Sequence, residues 1–314
     1  MSRKKRYRVR NWNEYNRSLV NRGRITFWFD EKSIANWYEN KQSRPKKRGR
    51  PRTYSDVAIQ CVLLIKVVFS LPLRSLKGFV ESLADLSKLP ITVPDYSTIS
   101  RRQKGIEVIL ERYKKGGSLH IVVDSTGLKV FGEGEWKVRQ HGYSKRRTWR
   151  KLHLGVDEAS GEIVAAVLST HDIGDSEALP DLLEQVQDSI HQVSADGAYD
   201  TFGCHDAITE RGADPVIPPR KNARIAQHGN SNDPPLSRDE ILRFIRDHGR
   251  KAWKKDSQYH RRSLAETAMY RFKQLLGREL SARTFESQCT EAFIKCNAMN
   301  RMTSLGMPES YAID

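Results

Sequence analysis

With 314 residues, 38% of them hydrophobic and 29% charged, the chain has the composition of a globular protein of about two domains with room for a sizeable core. Its four cysteines, Cys61, Cys204, Cys289 and Cys296, include no C-x-x-C pair, which argues against a zinc knuckle or a disulfide framework and for reduced residues in a cytoplasmic protein. The net charge of +16 is uneven: residues 1 to 54 hold 17 Lys and Arg against 4 Asp and Glu, which points to a polyanion partner, and to nucleic acid before membrane because the cations are interleaved with Trp, Tyr and Asn.

The opening "MSRKKRYRVRN" has no apolar run behind it, so no secretory leader is expected. Residues 1 to 54 read as a basic, partly ordered DNA-binding arm, with a short strand at "GRITFWFD" and a capped helical turn at "SIANWYE". Within "RPKKRGRPRTYSD", Arg48-Gly49-Arg50-Pro51-Arg52 resembles the core of an AT-hook, which would place Arg48 and Arg50 in a narrow minor groove; a solvated linker accounts for the same residues. Residues 55 to 115 read as a helical, helix-turn-helix-like DNA-binding domain. Its first helix, "VAIQCVLLIKVVFSLPL", is too short and too interrupted by Gln60, Lys66 and Pro72 to span a membrane. The second is "LRSLKGFVESLA". The third, in "VPDYSTISRRQKGIEVILERYKK", opens as a recognition helix does and offers Arg101 and Arg102 to DNA, although ordinary capping explains its Ser and Thr equally well.

Residues 116 to 314 read as a mixed α/β domain. "LHIVVD" predicts a buried strand ending at Asp124, followed by a hairpin from "TWRKLHLGVD" to "GEIVAAVLS", a helix at "SEALPDLLEQVQDSI", and a strand, "HQVSAD", ending at Asp196. "TFGCHDAITERG" and "DPVIPP" add a helix and a strand. A polar insertion or mobile loop is expected at about 220 to 257, and an amphipathic helix, "TFESQCTEAFIKCNAMNRM", closes the chain. Residues 136 to 151, "WKVRQHGYSKRRTWRK", hold seven cations and no acid, so Arg146 and Arg147 lie on either a track for DNA backbone or a solvated hairpin edge.

One more helix is predicted at "YHRRSLAETAMYRFKQLLG", Tyr259 to Gly277. At about 100° per residue, Tyr259, Arg262, Glu266 and Lys273 fall within about 60° of one another. Leu264, Ala268, Phe272 and Leu275 form the opposite, apolar stripe. An exposed Arg-Glu pair would explain the polar face alone. Asp124 and Asp196 are likewise open to a plain reading as turn formers. Together with Glu266, however, they make a set of three carboxylates, which suits a hard, oxygen-liganded ion such as magnesium. Two such ions could activate a nucleophile and stabilise the leaving oxygen of a phosphodiester, with Arg262 and Lys273 holding phosphates and Tyr259 hydrogen-bonding or stacking.

The spacing Tyr259-x2-Arg262-x3-Glu266-x6-Lys273 resembles the Y-R-E-K signature of bacterial insertion-sequence transposases of the DDE type. "VVDSTGLK" and "SADGAYD" resemble the family's first and second Asp regions. "NWNEYNRSLVNRGRITFWFDE" and "PDYSTISRR" are similar to the insertion-sequence-five family, in particular its nine-oh-three group. The resemblance covers nearly the whole chain. It implies an RNase H-like catalytic domain with two Mg2+ ions, or Mn2+ as a substitute, held by Asp124, Asp196 and Glu266. It also implies Tyr259, Arg262 and Lys273 as contacts to the transferred end, cleavage at terminal inverted repeats, and transfer of 3′ ends into target DNA. Double-stranded DNA is then the partner, and a homo-oligomer, at least a dimer, forms at synapsis in the cytoplasm, associated with the nucleoid and with no membrane involved. A structure-specific metal-dependent nuclease and a non-catalytic DNA-binding regulator are the rivals. Tyrosine-recombinase and relaxase histidine motifs are absent: no His is followed three residues on by Arg, and no two His stand one residue apart.

Overall fold

The computed structural model describes residues 6–40, 51–114, 116–130, 149–228 and 234–313. The chain divides into two compact units, Met1–Ile109 together with Thr284–Asp314, and Leu110–Arg283. This division cuts across a boundary at 54 and returns the chain's end to the unit where it began.

The first unit opens with β1 (Arg6–Val9), α1 (Trp12–Arg22), α2 (Ile25–Trp28) and α3 (Glu31–Ala35). The strand expected at "GRITFWFD" is the helical turn α2. Its aromatic residues serve burial, not alternation: Trp28 is fully buried, and its indole N–H donates to the Arg22 carbonyl at 2.7 Å. A run this short does not distinguish the two periods. Asp30 caps α3, accepting from the Ser33 amide at 2.8 Å, and pairs with Arg301 at 2.6 Å. The apolar α4 (Asp56–Val68) is capped by Ser55 and largely buried, and the chain bends by 110° into the amphipathic α5 (Leu73–Leu86). Among the described residues no single helix is long and apolar enough to cross a membrane. Asp95 caps α6 (Tyr96–Arg102), which is shorter than the predicted third helix: a 3-10 turn, Gln103–Gly105, ends it, and the chain then leaves regular structure.

The second unit is built on β2 (Leu119–Val130), β3 (Trp149–Asp157) and β4 (Ile163–Thr170), then α7 (Leu179–Glu184), β5 (Ile190–Ser194), α8 (Phe202–Glu210) and β6 (Asp214–Val216). It continues through α9 (Ser237–His248), α10 (Arg250–Asp256), α11 (Ser263–Leu276) and the short β7 (Glu279–Leu280). The sheet order is β4-β3-β2-β5-β6. The first three strands are antiparallel, β5 and β6 run parallel to β2, and β7 pairs with the far end of β2. This five-strand mixed sheet is consistent with an RNase H-like domain. On one face, Ile121, Val123 and Val193 pack with Leu179, Leu182 and Ile208 from the helices. The alternate positions, Val122, Leu128, Leu152 and Leu154, are buried on the other face, where α11 meets β2 and β3.

The polar segment at 220–257 is not a plain loop. It contains α9 and α10, and two buried acids tie it down. Arg238 donates to Asp200 through Nε at 2.7 Å and Nη2 at 3.1 Å, while Asp239 accepts from the amides of Ala226 and Gln227 at 3.0 and 2.7 Å. Residues 229–233 lie outside the described residues.

The chain ends in α12 (Phe285–Ser304) and β8 (Ser310–Ile313), both in the first unit. The helix expected to be amphipathic is buried on most sides. It packs on α4 and exchanges bonds with the 3-10 turn: the Thr290 hydroxyl donates to the Gln103 carbonyl at 2.7 Å, and the Gln103 amide donates to the Ser287 carbonyl at 3.1 Å. β8 runs antiparallel to β1.

Candidate active site

β2 does not stop at Asp124 but continues to Val130, so Asp124 sits within the strand. Its parallel partner β5 is the shorter one. The last pair between them is Val122 with Ser194, and the same register carried two residues on sets Asp196 opposite Asp124. Two acids far apart in sequence therefore meet at the edge where β5 ends. Asp196 also closes a local turn, its Oδ1 accepting from the Ala198 amide at 2.8 Å, as the turn-former reading expects.

The third carboxylate comes from α11, whose start differs from the sequence expectation. Tyr259–Arg262 is a 3-10 turn and the α-helix begins only at Ser263. The buried stripe is Ala265, Ala268, Met269, Phe272 and Leu276, whereas Leu275 is 38% exposed. The tighter turn aims Arg262 across the sheet edge. Its Nη1 lies 3.3 Å from Asp124 Oδ2, its Nη2 donates to the Glu266 carboxylate, and its guanidinium stands 5.9 Å from the centre of the Tyr259 ring. Tyr259 in turn rests on Trp253, ring centres 5.6 Å apart. Arg262, Asp124, Glu266 and Tyr259 thus form one cluster.

Burial pushes the Asp124 carboxyl above its ordinary range. The Ser125 amide, at 2.8 Å, and Arg262 pull it back, while Asp196 and Glu266 push it further up. The net displacement is upward, with burial as its main cause. Burial also lifts the Tyr259 hydroxyl; Arg262 opposes this, and Asp196 and Glu266 reinforce it.

Lys273 stands apart from the cluster. It lies two turns beyond Glu266, about 10 Å along the helix. Burial and the neighbouring Arg278 lower its ammonium pKa. In the first unit, Arg101 is exposed on α6, with its guanidinium 3.4 Å from the Ser97 carbonyl and from Thr98 Oγ1. Arg102 is committed inside that unit: it donates to the Tyr54 carbonyl at 2.8 Å and pairs with Asp56. Arg48, Arg50, Arg146 and Arg147 lie outside the described residues.

Sequence reasoning passed over three further residues near this edge, Tyr199, Asp175 and Trp253. The Tyr199 hydroxyl is buried without a hydrogen-bond partner among the described residues; burial raises its pKa, and Asp175, Asp124 and Asp196 add to the effect. Burial would also raise Asp175, but bonds to Ser125 and Lys151, whose Nζ is 3.0 Å away, outweigh it and hold the carboxyl low. Nothing in "HDIGDSEALP" marks Asp175, because its partners come from β2 and β3.

Asp124, Asp196 and Glu266 offer only oxygen, the donor a magnesium-class ion takes, and such an ion would relieve the mutual repulsion by which Asp196 and Glu266 add to the effect of burial on Asp124. Chemically the set fits. Among the described residues no three Asp, Glu, His or Cys side chains are grouped closely enough to hold an ion as placed, and Arg262 contacts two of these three.

A family model described as Transposase DDE domain matches residues 115–301, a span that includes all three carboxylates, and a second model with the same description matches residues 20–133. No solved structure matches the chain. Since the first match takes in more than half of the sequence, the chain belongs to the DDE transposase family, DNA-binding enzymes that cleave DNA and transfer its strands, generally with divalent metal ions.

Proposed function

We propose that this transposase is a member of the insertion-sequence-five family, nine-oh-three group, and that Tyr259, Arg262, Glu266 and Lys273 are its Y-R-E-K residues. In this reading it binds the terminal inverted repeats of its element, cleaves the phosphodiester at each end, and joins the freed 3′ ends to target DNA. Asp124, Asp196 and Glu266 are the metal ligands. The observation that carries the reading is the meeting of β2, β5 and the start of α11 at one edge, with Arg262 spanning Asp124 and Glu266. Two Mg2+ ions, or Mn2+ in their place, would supply activation of the attacking oxygen and stabilisation of the leaving one.

The chain's own residues bind and orient. Arg262 turns from the carboxylates to a DNA phosphate, a pairing its planar guanidinium can make bidentately. Tyr259, backed by Trp253, presents its hydroxyl to the same strand end. Lys273 meets a phosphate farther along the helix. Arg101, with Arg48 and Arg50 in the arm and Arg146 and Arg147 in the basic run, tracks flanking duplex. At least two copies are needed to hold two ends in a synapse.

The test incubates purified full-length protein and Mg2+ with labelled DNA carrying the element's ends and a target plasmid. Joined products are the expected result. Cleavage that never yields joined products would favour a nuclease, and binding with no cleavage a regulator.

A further inference from the structure

The ribbon formed by the two ends of the chain has no role in the chemistry above. β1 and β8 make a two-stranded antiparallel sheet with three of the four residues in each strand exposed, including Tyr7 at 64% and Tyr311 at 46%. A lone two-stranded ribbon buries too little apolar surface to hold itself together. Here its base is fastened instead. The Asn11 side chain donates to the Met307 carbonyl at 3.0 Å and accepts from the Glu309 amide at 2.8 Å, and the Arg10 amide donates to the Glu309 carbonyl at 2.7 Å. The Ser18 hydroxyl on α1 also lies 3.4 Å from the Gly306 carbonyl. The ribbon is thus ordered at its root and open along its length.

Its chemistry is one-sided. Strand alternation puts Arg6 and Arg8 on one face with their register partners Ile313 and Tyr311, while Tyr7 and Val9 share the other with Ala312 and Ser310. The two strands contain two arginines and no acid, and Arg3, Lys4 and Lys5 precede them in the sequence. Arg10, just beyond, faces Glu309 at 3.5 Å with both side chains well exposed, a pair easily exchanged for a phosphate.

We propose that this ribbon is a duplex-DNA contact that enters the major groove, whose width admits a two-stranded β-ribbon. Arg6 and Arg8 take phosphates or guanine edges, and the Tyr311 hydroxyl takes a neighbouring phosphate. A second copy of the chain is the other conceivable occupant of the open strand edges. The arginines count against it, because like-charged ribbons repel and charged residues on an edge discourage strand pairing. The proposal rests on the reading of the chain as a DNA transposase and specifies a binding surface within it.

The experiment uses the full chain and a fluorescein-labelled random-sequence duplex, with binding followed by anisotropy across a salt series. Arg6→Ala/Arg8→Ala should weaken binding and reduce the salt slope by nearly two, about 0.9 for each phosphate that is no longer neutralised. Deletion of residues 308–314 is the sharper test. It removes Glu309 and Asp314 and no cation, so on charge alone DNA should bind more tightly. If the ribbon is the binding unit, affinity should instead fall several-fold, with the melting temperature held. Should the deletion disturb the fold, Tyr311→Ala probes the same face without shortening the chain and should also weaken binding.

Unchanged or tighter binding by the folded deletion variant would overturn the proposal, as would an unchanged salt slope in the double variant. A change in sedimenting mass with DNA affinity unmoved would assign the ribbon to self-association and also overturn it. If wild-type protein binds no duplex at low salt, the transposase reading itself fails; if it binds and the ribbon variants bind equally, only the ribbon fails.

Discussion

Two aspartates of the second unit each meet an arginine, with opposite results. Asp200 is wholly buried and fully partnered. Burial would raise its carboxyl, but His205, whose Nε2 is 3.7 Å away, together with donors from Arg238 and the Arg220 amide, outweighs this and holds it far below the ordinary range. Asp124 is partly exposed, accepts from the Ser125 amide at 2.8 Å and stands 3.3 Å from Arg262, yet remains raised, first by burial and then by Asp196 and Glu266. A saturated pair fastens structure, here α9 to the turn after β5. An unsaturated one leaves charge to be neutralised by something that arrives, and that is where chemistry is expected.

The sharpest way to break this comparison is to remove charge at both places. Asp124→Asn, Asp196→Asn and Glu266→Gln should each lower cleavage by roughly 10³-fold or more, since several kcal/mol of barrier are at stake. Their melting temperatures should hold or rise as repulsion is relieved. Substantial nicking of plasmid DNA by any of the three with Mg2+ would defeat the assignment. Asp200→Ala should do the reverse. Leaving Arg238 buried without its partner should cost about 3–5 kcal/mol in denaturant unfolding, with cleavage per folded molecule retained.

Helix α11 carries the same contrast on its two sides. Phe272 is fully buried, so Phe272→Ala should cost about 3–5 kcal/mol by opening a cavity, with modest effect on the joining rate per folded molecule. Arg262→Ala should slow joining strongly while costing at most about 1 kcal/mol of stability. It should also bind Mn2+ more tightly, measured by electron paramagnetic resonance, because a competing cation has left two carboxylates. Wild-type joining by Arg262→Ala would reduce the cluster to a surface ion pair.

A smaller effect separates buried polar groups from the site. His120, hydrogen-bonded to Ser194 at 2.8 Å, is lowered to about 4, first by burial and then by His191 and Arg261. An unfolded histidine titrates near 6.5. Between those values the unfolded chain holds a proton that the folded chain lacks, so stability rises with pH across about 4 to 6.5 and falls on acidification. His120→Gln should flatten that part of the stability profile, which loses up to about 1.4 kcal/mol per pH unit.

Much of the second unit was legible in its sequence. The hairpin of β3 and β4, the strand before Asp196 and the helix bearing Glu266 each announce themselves by local period. What stayed hidden was set by partners. β2 runs past Asp124 because β3 pairs with it as far as Lys129. Asp196 faces Asp124 through register alone. Tyr199 and Asp175 matter through neighbours on other strands. The 3-10 turn that aims Arg262 is invisible to a helical wheel drawn at a uniform angle. In the first unit, β1 could not be read locally because its strand partner is β8, some 300 residues away.

The first unit is stitched from two stretches that flank the second in sequence, which has a consequence during synthesis. A ribosome moving at about 5–20 residues per second delivers Leu110–Arg283 in one stretch, free to begin folding once it has emerged. Residues 1–109 must wait throughout that time with the α12-facing side of α4 uncovered, since the helix that covers it is translated after Arg283. A nascent chain would therefore hold a complete second unit before it holds a finished first one.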